Sequence, residues 1–329
     1  MKFDFYGIIG EVLSDRPELL EDLRKDFEYF HAPNGAGAPA FSVSIRHGSG
    51  RGGAKGRTIL STSLFRARQS GSRREVDYNG RALSVFDAAN DRITIDSADA
   101  ELARELSYLA VCSRAGWHLD LKGFHRVHAL GFSYNGINTL VVLPSGGGKS
   151  TLCLGLSRRS GVGILSDDTP LISGDGTMHP FPLRWGFCGD ADVGGVLPLH
   201  LRRMTRRRFG EKILVDYPHF KDRVGRAARP GLIVVGARSL EAARVAPAGA
   251  LRIGAQLLDA MVLGRGTPQL AEYLFPSSLT EAAGLFKIAR SRAAAARALV
   301  CAARGAYMRF GPDLELNERL LLELVGRLN

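Results

Sequence analysis

The octapeptide Pro144-Ser-Gly-Gly-Gly-Lys-Ser-Thr151, set directly behind the apolar run Asn138-Thr-Leu-Val-Val-Leu143, constrains this chain more than any other segment. A strand that runs through glycines into a helix makes a nest for an anion. Gly146, Gly147 and Gly148 free the backbone to aim several N–H groups at one point, and the helix opening at Lys149 adds its partial positive charge. In a phosphate-binding loop of this kind Lys149 reaches the β and γ phosphates and the Ser150 hydroxyl is positioned for Mg²⁺, with Ser145 and Thr151 flanking the cradle. The first glycine of the G-x-x-x-x-G-K-[ST] pattern is replaced by Leu143, while the strand before and the helix after are both present.

The next apolar run, Val162 to Leu165, ends in Ser166-Asp-Asp168. In an open α/β sheet the carboxyl ends of neighbouring strands face one crevice, so Asp167 and Asp168 are expected beside the bound phosphates. Adjacent carboxylates on an extended chain point to opposite sides, so one can face Mg²⁺ while the other faces an incoming hydroxyl. That division suits phosphoryl transfer, where catalysis is mostly positioning and charge neutralisation. His128, read as lying on the strand before the loop, can reach the same crevice, although a lone histidine on a strand is more often structural.

The remainder of the chain reads as mixed. Residues 2 to 13 form a strand, and a helix capped by Asp15 follows, with Leu19, Leu20, Leu23, Phe27 and Phe30 on its core face. His47 to Arg57 is a basic glycine-rich loop whose Arg51, Lys55 and Arg57 are solvated rather than bound to phosphate. Arg74 to Asp96 is a strand meander turned at Asn79-Gly80, and Ala98 to Ala115 a helix. Tyr134-Asn-Gly136 turns a hairpin that feeds the loop; Leu171 to Pro180 is a second hairpin. Thr280 to Arg304 is a helix, Ala306 to Phe310 a strand, and Asp313 to Leu328 a terminal helix. Residues 1–97 are thus expected to be an α+β region and 98–329 an α/β domain.

With 329 residues and 45% apolar composition the chain can bury a sizeable core, and its net charge of +11 favours anionic partners. Cys112, Cys153, Cys188 and Cys301 lie far apart without a CxxC pair, so they read as reduced, mostly buried thiols and not as a zinc or disulfide framework. The amino terminus has no secretory pattern and no segment is apolar enough to span a membrane, which gives a cytoplasmic expectation.

Taken together, His128-Ala129, Leu143-Pro-Ser-Gly-Gly-Gly-Lys-Ser-Thr151 and Leu165-Ser-Asp-Asp168 resemble the catalytic core of HPr kinase/phosphorylase and its relatives, including those encoded with ribosomally made peptide natural products. The resemblance covers residues 120 to 185. It implies a P-loop core similar to the nucleotide domain of phosphoenolpyruvate carboxykinase, with ATP and Mg²⁺ as cofactors. It further implies that Lys149 contacts the phosphates, Ser150 holds Mg²⁺, Asp167 is the base toward a serine hydroxyl, Asp168 assists the metal and His128 is the active-site histidine. The longer glycine-rich signature that true HPr kinases carry after the acid pair is missing, so HPr is not the expected substrate.

Arg202 to Arg229 holds ten Lys or Arg against three acids. An arginine there, or Arg184, can stabilise a transferring phosphoryl group or dock an acidic peptide; a solvated face is the alternative. Few aromatics accompany it, so no nucleic-acid surface is read. The leading expectation is a kinase acting on a serine-type hydroxyl of a protein or peptide. Two others stand beside it: a small-molecule kinase or carboxykinase-like enzyme on the same scaffold, and a nucleotide-switched ATPase without acceptor. The acceptor is unspecified, and self-association into a homo-oligomer stays open.

Overall fold

The computed structural model describes residues 1–35, 37–50, 56–206, 210–270, 272, 276 and 279–328. The protein is a mixed α/β chain with several sheets and six helices among these residues. Contacts divide it into two compact units.

The first unit comprises Met1–Leu121, Arg203–Lys212 and Pro268–Phe286. Its elements up to Leu121 are β1 (Lys2–Asp4), β2 (Ile9–Ser14), α1 (Pro17–Asp26), β3 (Phe41–Arg46), β4 (Arg57–Ser61), β5 (Arg66–Ser70), β6 (Arg73–Asp77), β7 (Ala82–Asp87), β8 (Arg92–Ser97) and α2 (Ala100–Leu121). The strands form one sheet in the order β1-β2-β3-β8-β7-β6-β5-β4. Helix α2, which the sequence assigns to the second domain, instead packs on β3, β8 and α1, because its face with Leu102, Leu106 and Leu109 is buried there.

Several local expectations change here. The strand read over residues 2 to 13 is two antiparallel strands, because Tyr6 and Gly7 take left-handed φ of 57° and 80° and reverse the chain. Asp15 does not cap α1. Its carboxylate accepts from the His47 N–H at 3.0 Å, and Pro17, needing no amide partner, begins the helix after Arg16. Phe27 and Phe30 fall just beyond α1, yet both are buried with Phe3 and Phe5. The meander turned at Asn79-Gly80 is present, with left-handed φ at both residues. Within the basic loop, residues 51–55, and so Arg51 and Lys55, lie outside the described residues; Arg57 opens β4.

The second unit comprises Lys122–Arg202, Ile213–Thr267 and Lys287–Asn329. From residue 122 onward the elements are β9 (Phe124–Arg126), β10 (Leu130–Tyr134), β11 (Ile137–Val142), α3 (Lys149–Ser157), β12 (Val162–Ser166), β13 (Leu171–Ser173), β14 (Met178–His179), β15 (Trp185–Cys188), β16 (Leu201–Arg206), β17 (Gly210–Val215), β18 (Pro230–Arg238), β19 (Arg244–Pro247), α4 (Ala250–Leu257), α5 (Leu279–Ala302), β20 (Arg304–Phe310) and α6 (Leu314–Gly326). A five-residue π-turn, Leu258–Val262, continues α4.

The main sheet runs β12-β10-β11-β18-β20-β19, with β11, β18 and β20 parallel. Helices cover both its faces. Val141, Leu143, Leu232 and Val234 pack with Leu152 of α3 and Leu321 of α6, whereas Leu140, Val142, Ile233 and Val235 pack with Ile253 of α4 and Leu299 of α5. That double cover is why the run before the glycine loop is apolar without alternation. Strand β18 goes unread in the sequence, yet it lies at the middle of the sheet. Among the described residues no helix is long and apolar enough to cross a membrane. None of the four cysteines is in a disulfide; Cys112 and Cys153 are buried, but Cys188 and Cys301 are exposed at the ends of β15 and α5.

Candidate functional site

The site begins where β11 stops. Gly146 and Gly148 adopt φ of 75° and 91°, and nothing lies within 4 Å of a Cβ placed on either, so both turn with open space on the side where a side chain would stand. Gly147 is tight for a different reason: a Cβ there would meet the Pro144 carbonyl oxygen at 2.9 Å. Gly148 caps α3, so Lys149, Ser150 and Thr151 form its first turn. Leu143, standing at the first glycine position, is buried in the core and its carbonyl is turned back toward the helix.

Lys149 is buried. Its Nζ donates to the carbonyls of Leu143 at 3.0 Å and Pro144 at 3.3 Å, and lies 2.9 Å from His128 Nε2. Burial draws the ammonium's pKa down, against the charges of Asp168 and Asp167, which push it up. Folded back in this way, the lysine fills the cradle of its own loop. Two surface hollows of this unit lie away from the loop, one lined by Arg159, Glu315 and Arg319, the other by Asn138, Arg223 and Arg226.

The acid pair reaches the loop because β10 lies between β11 and β12 and is antiparallel to both. The two flanking strands therefore run the same way, and their carboxyl ends share one edge. Ser166 ends β12 by accepting the N–H groups of Asp168 and Thr169, which bends the chain and parts the two carboxylates. Asp167 is buried and accepts from the Ser150 hydroxyl at 3.1 Å. Burial, aided by the charge of Asp168, lifts its carboxyl to about 8. Asp168 is half-exposed and turns the other way, with Oδ1 at 3.1 Å from His128 Nδ1 and 3.6 Å from Lys149 Nζ. Its surroundings penalise the charge, but the His128 contact and the Lys149 charge outweigh that and hold it below the usual carboxylate range.

His128 is not on a strand. It sits in the link between β9 and β10, where two different sheets are joined and no ladder claims its backbone. Its N–H donates to Ala260 of the π-turn at 3.0 Å, and its ring lies within reach of Ser145 Oγ at 3.3 Å, Lys149 and Asp168. The structure thus brings together Ser145, Lys149, Ser150, Asp167, Asp168 and His128, while Thr151 is exposed on α3.

Compared with known proteins, the chain matches no protein-family model and no curated protein.

Four of the ten basic side chains in the stretch from Arg202 to Arg229 meet a carboxylate. Arg202 makes a paired contact with the buried Asp216, with Nη2 to Oδ1 at 2.7 Å, while Arg203 meets Glu211, Arg206 meets Glu105 and Arg229 meets Asp175. Arg207 and Arg208 lie outside the described residues. Arg184 is buried ahead of β15. What sequence reasoning missed is the segment Leu258–Thr267 beside His128. Its one visible signal is Gly264-Arg-Gly266, a pair of glycines too close together for a helix to continue.

Among the described residues, no cluster of three His, Cys, Asp or Glu side chains could hold a metal unaided. Mg²⁺ asks for less, since it keeps several waters and takes one or two protein oxygens plus phosphate. Ser150 and Asp167 fit that need: a buried carboxyl with a hydroxyl 3.1 Å away and, among the described residues, no ion pair of its own.

Proposed function

We propose that this chain is an ATP- and Mg²⁺-dependent phosphotransferase that moves the γ-phosphoryl group to a serine-type hydroxyl of a protein or peptide, on a P-loop core of the HPr kinase and phosphoenolpyruvate carboxykinase type. The observation that carries it is the convergence of Lys149, His128 and Asp168 on one side of the glycine loop with Ser150 and Asp167 on the other.

The contacts favour a division of the two acids opposite to the one that the family resemblance implies. Ser150 and Asp167 form the metal side, where the ion would neutralise phosphate charge and favour the ionised form of Asp167. Asp168, ionised and held by His128, forms the hydroxyl side, where it orients the acceptor and takes its proton. Lys149 leaves its carbonyl seats for the phosphates, which offer charge-assisted hydrogen bonds in place of neutral ones. The backbone N–H groups of Gly146, Gly148 and Lys149, with Ser145 and Thr151 beside them, line the nucleotide's phosphates.

The test is transfer from γ-labelled ATP with Mg²⁺ to a library of serine-containing peptides. Label is expected on peptide with the wild type and lost in Asp168→Asn while Mg-ATP binding persists. Label in small metabolites would point to a small-molecule kinase. Steady ATP hydrolysis without acceptor, indifferent to Asp168→Asn, would overturn the proposal in favour of a nucleotide-switched ATPase.

A further inference from the structure

The segment Leu258–Thr267 holds His128 from two directions. Ala260 accepts the histidine's N–H at 3.0 Å. Gly266, at φ 86°, lies so close to the imidazole that a Cβ on it would stand 2.5 Å from Cδ2, 2.6 Å from Nε2 and 2.8 Å from Cγ. Real Cβ atoms do not approach that near, so any side chain at 266 must displace the ring or the segment.

The segment is poorly able to yield. Thr267 Oγ1 donates to the Gly264 carbonyl at 2.7 Å, Arg265 N–H to Asp259 at 3.1 Å, and Arg292 Nη1 to Val262 at 3.2 Å. The ring is the softer partner, and its remaining edges face Lys149, Asp168 and Ser145. A displaced imidazole therefore loses one of these three contacts.

We propose that Gly266 is a positioning residue: its bare Cα seats the His128 ring against Lys149 and Asp168, so that a loop over a hundred residues downstream sets the geometry of the acid pair's hydroxyl side. This rests on the phosphotransferase reading for its catalytic consequence, but not for the seating itself. Gly264, also left-handed at φ 65°, is the matched control, because a Cβ there meets Arg292 and Thr267 and not the histidine.

The experiment compares wild type, Gly264→Ala, Gly266→Ala, His128→Ala and the Gly266→Ala/His128→Ala double variant. The histidine imidazole ¹H–¹³C spectrum is read first, with the His128 peak assigned by its loss in His128→Ala. Gly266→Ala is expected to move that peak, and Gly264→Ala to leave it. In Mg-ATP turnover with water as acceptor, Gly266→Ala should lower kcat by about 10- to 100-fold, the cost of misplacement by about an ångström, with KM for ATP little changed.

The thermal cycle keeps the test decisive if Gly266→Ala folds poorly. Removing the ring makes room for the methyl, so Gly266→Ala should cost less stability in the His128→Ala background than in the wild type, and no further kcat. An unmoved His128 peak, or equal costs in both backgrounds, would overturn the proposal. Absence of Mg-ATP binding and turnover in the wild type would sink the phosphotransferase reading alone, since the peak and the thermal cycle still decide the seating.

Discussion

Lys149 Nζ stands 2.9 Å from His128 Nε2, and that contact orients the imidazole. An ammonium has protons to give and no lone pair, so Nε2 accepts and the ring proton belongs on Nδ1, which lies 3.1 Å from Asp168 Oδ1 without the alignment of a hydrogen bond. Loop lysine, histidine and second acid thus form one chain of contacts, and whatever moves the lysine reaches the acid.

Nucleotide binding should be visible through Lys149. At about 100 times its dissociation constant, Mg-ATP adds roughly 2.7 kcal/mol to a protein that binds it. The wild type is expected to show the corresponding rise in Tm and Lys149→Ala to lose it. A rise of equal size in both would mean that the nucleotide sits elsewhere.

The pH dependence of the nucleotide-free protein should carry the mark of Asp167. Its carboxyl, lifted from 3.8 to about 8 by burial, keeps its proton in the folded chain where the unfolded chain has released it. The folded state then binds more protons across that window, so this group's contribution falls as pH rises from about 4 to about 8. Asp167→Asn removes the penalty. Its Tm should exceed that of the wild type by more at pH 9 than at pH 6; a difference that does not vary with pH would show that Asp167 is not buried as described.

Arg202 should prove structural although it opens the most basic stretch of the chain. Its guanidinium covers the carboxylate of Asp216, which is only 4% exposed. Arg202→Ala strands that charge, at a cost of about 3–5 kcal/mol. Urea unfolding of the variant should show the loss, and Arg202→Ala/Asp216→Ala should recover part of it. Retention of full stability in the single variant would return Arg202 to the pool of candidate phosphate or peptide contacts.

Asp313 is a helix cap, with its carboxylate accepting from the Leu316 N–H at 3.0 Å. Asp313→Ala should lower stability by about 1 kcal/mol, and Asp313→Asn by much less, as read from urea midpoints. Equal losses in both would place the effect in charge and not in the cap.

Much of this site was legible because its parts lie close along the chain. The glycine loop, the strand before it, the helix after it and the acid pair occupy one continuous stretch, and local patterning describes them. The hairpin turns at Asn79-Gly80 and Asn135-Gly136 were legible for the same reason, since left-handed φ leaves a mark in composition. Long-range placement was not. Nothing local says that α2 packs on the first sheet, that β18 enters beside β11, or that residues 258–267 close on His128. The divergent aim of Asp167 and Asp168 was foreseeable from the geometry of adjacent residues, but which acid meets Ser150 depends on the bend that Ser166 imposes.

The late arrival of β18 bears on how the chain acquires its fold. Strand β11 pairs with β10 through the two-residue turn Asn135-Gly136 almost as soon as it exists, but its other edge waits for Pro230–Arg238, and β20 must then follow from beyond residue 300. Parallel pairing over such separations is slow, because a long loop must close before any contact is made. During synthesis the strand that leads into the glycine loop is therefore an apolar sheet edge without its neighbour, open to mispairing with other chains. Truncation before residue 230 should leave the loop's entire sequence intact and yet give an aggregating product, so a minimal fragment carrying only the motif is the wrong place to look for its chemistry.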